Sequence, residues 1–158
     1  MESITGISLE GIEPDEYGRY IIPYVSEIFE KEVTLTIPTE SGVIEEWQLN
    51  LAYQFCEKEK ELKKQVFESI LVYYQDCWVD LKDQFGEDFA HLVPSVENTF
   101  QLKELLTSVG VYIGEFEPQD KAIGLLFECS WEPEHGLGVL INNWEVKEVS
   151  HQDVAFTI

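Results

Sequence analysis

The sequence predicts an α+β domain with an N-terminal β hairpin, a central helical section and a C-terminal antiparallel β meander. Three observations carry that prediction. Residues 20–37 hold two β-branched and aromatic runs around a polar bend. No Pro or Gly interrupts residues 43–85, where apolar residues recur at helical spacing. From Val111 onward, short apolar runs alternate with turn residues. A single domain spanning residues 1–158 is expected, with residues 1–18 a loosely ordered N-terminal strand. A chain of this length buries roughly 70% of its unfolded surface, so it needs neither metal nor disulfide to fold.

Along residues 1–18, Ile4, Ile7, Leu9 and Ile12 alternate weakly before the turn cluster of Pro14, Asp15 and Gly18. The run Tyr20-Ile21-Ile22-Pro23-Tyr24-Val25 and the alternating Val33-Thr34-Leu35-Thr36-Ile37 pair as a hairpin bent near Ser26–Lys31. Pro23 cannot donate to a ladder, which places its strand at an edge or a bulge. The helical section, residues 44–84, reads as two helices broken near Glu57–Lys60 or as one long helix, stopped by Gly86. Its stripe runs Trp47, Leu51, Phe55, then Leu62, Val66, Ile70, Tyr73, Cys77 and Leu81. The aromatic set Tyr73, Tyr74 and Trp78 reads as core. Phe85–Pro94 reads as a loop or ragged turn, and a short helix from Phe100 to Thr107 is capped by Ser95, Asn98 or Thr99 and ended by Gly110. Strands follow at Val111–Phe116, Ala122–Trp131, Leu137–Asn142, Trp144–Val149 and Ala155–Ile158, with a tight turn at Asn142-Asn143.

Charge is the outlying property. Thirty-one acidic residues face ten basic ones, a net charge of −21. Phosphate neutralisation by Lys and Arg drives nucleic-acid binding, so no nucleic-acid partner is expected, and attachment to an anionic membrane surface is disfavoured for the same reason. Such a field attracts cations and basic proteins. Lys58, Lys60, Lys63 and Lys64 sit together, interleaved with Glu57, Glu59 and Glu61. They read as a solvated face with local ion pairs; an anion-binding spot is the alternative. Three Cys without a CxxC spacing exclude a disulfide framework and a zinc ribbon. The N-terminus lacks a basic region followed by a long apolar run, and no stretch approaches about 18 apolar residues. A cytoplasmic protein without a cofactor is expected.

The densest set of chemical side chains is Cys129-Ser130-Trp131-Glu132-Pro133-Glu134-His135-Gly136-Leu137-Gly138-Val139. Pro133, Gly136 and Gly138 make it a hairpin loop with a bulge. The favoured reading is structural: Glu134 and His135 bond loop backbone or Asp153 and hold the turn. A metal reading uses Glu132, Glu134, His135, Cys129 and Asp153, but the spacing matches no zinc pattern. An acid–base reading uses Glu134 with His135, and Cys129 as nucleophile. Adjacent strand residues point to opposite faces, and Cys129 lies in an apolar run, so neither is favoured.

The pattern Phe127-x-Cys129-x-Trp131-x-x-Glu134-His135-Gly136-Leu137-Gly138-Val139, followed by Val149-x-x-x-Asp153, resembles the ending of a family of uncharacterised bacterial domains. Those domains carry a C-x-W-x-x-E-H-G-x-G-V signature. The Tyr73-Tyr74 pair and the Leu92–Pro94 step extend the likeness to about residues 20–156. Ser150 stands where the family has Gly. The resemblance implies no reaction, and it implies a toxin-immunity role for some members.

Charge and resemblance together point to an acidic protein-binding module, in concrete form an immunity-type inhibitor of a basic toxin. Glu87, Asp88, Glu115, Glu117 and Asp120 are the candidate contacts. The alternatives are a small enzyme or metal-binding protein centred on Glu134 and His135, and a structural domain. Nothing in the sequence sets the oligomeric state.

Overall fold

The computed structural model describes residues 11–40, 42–113, 121–132 and 134–152. Of the strand expected within residues 1–18, residues 11–18 form turns and irregular chain rather than strand; residues 1–10, the expected strand at Ala155–Ile158 and the segment 114–120 lie outside that set.

The hairpin forms as the alternation requires. Strand β1 (Arg19–Ser26) pairs antiparallel with β2 (Lys31–Pro38), from Arg19 opposite Pro38 to Ser26 opposite Lys31. Ile22, Tyr24, Val33, Leu35 and Ile37 turn to one buried face. β1 is an edge strand, where the missing N–H of Pro23 is tolerated. The bend closes through Glu30 N donating to Ser26 O at 2.8 Å.

Of the two readings of the middle section, the single helix is the one adopted: α1 runs unbroken from Glu46 to Phe85. At its start the Gln48 side chain accepts from Glu45 N at 3.0 Å and donates to Pro38 O at 2.6 Å, tying the helix to the end of β2. At its end Gly86 takes φ 71°, a value glycine reaches without Cβ strain. Leu51, Phe55, Leu62, Val66, Phe67, Ile70 and Tyr74 are buried in the core shared with the sheet. Burying each large side chain contributes about 1.5–3 kcal/mol before entropy is counted.

The segment read as a loop or ragged turn contains a 3-10 helix, Glu87–Leu92, and the next expectation is corrected. The following helix, α2, is only Thr99–Lys103, with Asn98 Oδ1 accepting from Gln101 N at 2.9 Å as its cap. Its C-terminal half is lost to strand β3 (Leu106–Ile113), because Leu106 to Ser108 pair with Cys129 to Phe127. Ladder pairing overrides local helix preference here. Gly110 therefore lies inside β3 rather than ending a helix. A Cβ there would stand 2.6 Å from Thr34 O, so only glycine lets β3 approach β2 this closely.

β4 (Ala122–Cys129), β5 (Leu137–Asn142) and β6 (Glu145–Ser150) complete the antiparallel meander. The last turn is shifted by one residue from its expected place. Asn143 and Trp144 both take positive φ, 51° and 67°, so Trp144 belongs to the turn and β6 begins at Glu145. Parallel pairing of Thr34–Thr36 with Gly110–Tyr112 joins hairpin and meander into one sheet, ordered β1-β2-β3-β4-β5-β6. The helices bridge those two parallel strands, as parallel pairing demands. Among the described residues, no helix is long and apolar enough to cross a membrane.

Candidate functional site

The Cys129–Val139 stretch forms the β4–β5 connection. Gly136 is its pivot, at φ 63°. A Cβ at Gly136 would stand 2.6 Å from Phe127 O and collide with the Gln152 side-chain amide. Gly136 N donates to Glu132 O at 2.8 Å and closes the turn. Gln152 clasps it from the far side. Its backbone N–H meets His135 O at 3.0 Å, and its side chain donates to Phe127 O at 2.7 Å. The hairpin is as expected but the bulge is not, since the β4–β5 register runs unbroken from Ala122 opposite Asn142 to Phe127 opposite Leu137; the clasp is Gln152, which carried no signal in the sequence.

The favoured reading, in which Glu134 and His135 bond loop backbone, is corrected among the described residues, and the Glu134–His135 contact of the acid–base alternative does not form either. Glu134 is exposed and makes no hydrogen bond or ion pair among the described residues. His135 Nδ1 instead meets Glu132 Oε1 at 3.1 Å, and His151 Nε2 stands 3.7 Å from Glu132 Oε2. The two imidazoles stack, with centroids 5.0 Å apart and planes 15° off parallel. Glu132 is thus the hub of a rim cluster built from the β4–β5 turn and the residue after β6. The signal was the i,i+3 spacing of Glu132 and His135 within one turn.

The other motif residues are core. Cys129 is buried, and burial pushes its thiol up to about 12, so it stays protonated near neutral pH and is a poor nucleophile. Trp131 is buried with its ring 4.7 Å from that of Tyr74. Gly138 is buried within β5, opposite Leu126 and Ser150. Tyr74 belongs to the core as read, whereas Tyr73 and Trp78 are half-buried against its edge; the polar ends of Tyr74 and Trp78 donate to Pro94 O at 2.6 Å and Val93 O at 2.8 Å. Among the described residues, no group of three or more His, Cys, Asp and Glu could hold a metal ion. Asp153, Glu115, Glu117 and Asp120 lie outside the described residues; Glu87 and Asp88 are exposed on the 3-10 helix.

Glu59 is the polar residue that sequence reading placed wrongly. Instead of pairing on a solvated face, it is 1% exposed. Its Oε1 accepts from Ser26 Oγ at 2.5 Å and Tyr24 Oη at 3.1 Å, and its Oε2 accepts from Glu27 N at 3.1 Å. Ser26 Oγ in turn accepts from Phe29 N at 3.1 Å. The carboxylate therefore organises the β1–β2 bend from the centre of α1. Burial raises its pKa, and the donors from Ser26 and Glu27 pull the other way without cancelling that rise. The signal was helical phase: Phe55, Glu59, Leu62 and Val66 share one stripe.

The lysines of the same segment part company. Lys58 lies over the Trp144 ring at 5.3 Å, whereas Lys60, Lys63 and Lys64 line one cleft with Lys103 of α2. Lys103 was not singled out, because 39 positions separate it from Lys64 and only the fold brings them together.

Comparison with curated proteins and with solved structures found no match. Residues 8–156 match the model of a domain of unknown function, DUF6985, and the chain belongs to that family.

Proposed function

We propose that the protein is a binding module that uses an acidic helix face to engage a basic protein, in its concrete form an immunity-type inhibitor of a cationic toxin. The observation that carries this reading is the outer face of the C-terminal half of α1. Glu68, Asp76, Asp80 and Asp83 are exposed there at helical spacing. Between them stand two large apolar side chains open to solvent, Val72 at 57% and Val79 at 58%. Glu87 and Asp88 continue the acidic run past Gly86. An apolar strip bordered mainly by acidic side chains suits docking, and a −21 net charge speeds encounter with a basic partner.

The enzyme or metal reading has less support, because Glu134 and His135 share no hydrogen bond and the Cys129 thiol is held protonated. The test is affinity capture with wild type and with an Asp76→Asn/Asp80→Asn/Asp83→Asn variant, at low and high salt. A basic protein retained by wild type, released by salt and missed by the variant is the expected result. Equal capture by both proteins, or capture insensitive to salt, overturns the reading.

A further inference from the structure

A chain of net charge −21 has ten basic residues, and four of them converge on one cleft. Lys60, Lys63 and Lys64 come from α1 and Lys103 from α2, with Phe67 and Thr99 between them. The cleft holds about 330 Å³. Two carboxylates share this neighbourhood. Glu30, on the β1–β2 bend, reaches Lys63 Nζ at 3.1 Å with one oxygen and Lys103 Nζ at 3.4 Å with the other. Glu68 meets Lys64 only at 3.9 Å. Lys60 has no acidic partner among the described residues.

The lysines are placed rather than merely exposed. Lys103 Nζ sits 4.9 Å from the centroid of the buried Phe67 ring, and the Glu30 bridge orients both it and Lys63. Hydrogen bonding and attraction from Lys63 and Lys103 hold the Glu30 carboxyl below its ordinary range, so the bridge is ionic near neutral pH. A second carboxylate would bring only two more oxygens and one charge. A phosphate brings three terminal oxygens and close to two charges, which matches Lys60 and Lys64 beside the Glu30 bridge.

We propose that this cleft binds a phosphate dianion, free or as the terminal group of a small phosphomonoester. Its volume exceeds that of phosphate and leaves room for an organic group against Phe67 and Thr99. Glu30 acts as an internal competitor that occupies half of the ammonium groups until the ligand arrives. Glu68 borders both this cleft and the acidic face of α1, but Asp76, Asp80 and Asp83 do not line the cleft, so the two proposals are tested by separate variants.

Calorimetric titration with inorganic phosphate and with glycerol phosphate, at ionic strength matched by chloride, tests this. Saturable binding at millimolar ligand is expected, weakened about tenfold in the Lys60→Ala/Lys64→Ala variant, as two lost exposed charge contacts imply. Both side chains are exposed, and an unchanged thermal melt will confirm that the variant is folded. Glu30→Gln removes the competitor and tightens binding several-fold, an effect that loss of a purely structural bridge does not produce. Tighter binding of glycerol phosphate assigns the site to a phosphomonoester, and equal binding assigns it to phosphate itself. No binding beyond chloride, or undiminished binding by the double lysine variant, overturns the proposal.

Discussion

Glu59 lies in the middle of α1, 1% exposed, and its oxygens take hydrogen bonds from two side chains and a backbone amide of the β1–β2 hairpin. Glu132 lies in the β4–β5 connection, with 28% of its side chain open to solvent, and meets two imidazoles at 3.1 and 3.7 Å. The first sits in a charged run that reads as unremarkable surface, and the second in the motif that holds the densest set of chemical side chains in the sequence. Their surroundings reverse that ranking. A carboxylate shielded from water leaves its donors stranded if it is removed, whereas an exposed one is replaced by water.

The largest effect is expected at Glu59. Glu59→Ala strands Ser26 Oγ–H and Tyr24 Oη–H in the interior and frees the half-buried Glu27 N–H, and the loss should be about 3 kcal/mol in urea unfolding. A loss under about 1 kcal/mol means that these groups find other partners and that the bend does not depend on the helix. Next comes Gly136→Ala, where a positive φ and a Cβ 2.6 Å from Phe127 O act together. Its expected cost is about 2 kcal/mol, read by the same unfolding midpoint.

A pH series sharpens the comparison further. The folded-state pKa of Glu59 is raised above the ordinary 4.5. Its contribution is therefore fully present below about that pH, where the carboxyl is protonated in both states, and declines as pH rises through the folded value. The stability of wild type relative to Glu59→Gln should fall as pH rises above the unfolded carboxyl range. A difference that stays flat, or grows with pH, means that the donors outweigh desolvation. The smallest effect belongs to His135→Ala. Its contact with Glu132 is exposed, so the change should stay within about 1 kcal/mol.

Periodicity exposed most of the fold. The alternation in Val33–Ile37, the uninterrupted stripe of α1 and the short strands from Ala122 onward all reflect burial on one face, which residue spacing records directly. Pairings between distant segments left no such record. The parallel join of Thr34 to Gly110, the early start of β3 at Leu106 and the meeting of Lys103 with Lys60 depend on which surfaces find each other. The candidate site divides in the same way. Gly136 was legible because only glycine suits the turn, while Gln152 and His151 arrive from beyond β6. Glu59 was legible in principle, since it falls in phase with Phe55 and Leu62, but its charged neighbours masked that phase.

Native-state hydrogen exchange on Glu59→Ala and Glu132→Ala, run side by side with wild type, tests the contrast most directly. The amides of Glu27 and Phe29, bonded to Glu59 and to its partner Ser26, should lose protection in Glu59→Ala while β4 and β5 keep theirs. Glu132→Ala should leave the hairpin amides as they are in wild type. Unchanged protection at Glu27 and Phe29 in Glu59→Ala, or equal loss in both variants, would contradict the claim that the buried carboxylate fastens the hairpin to the helix.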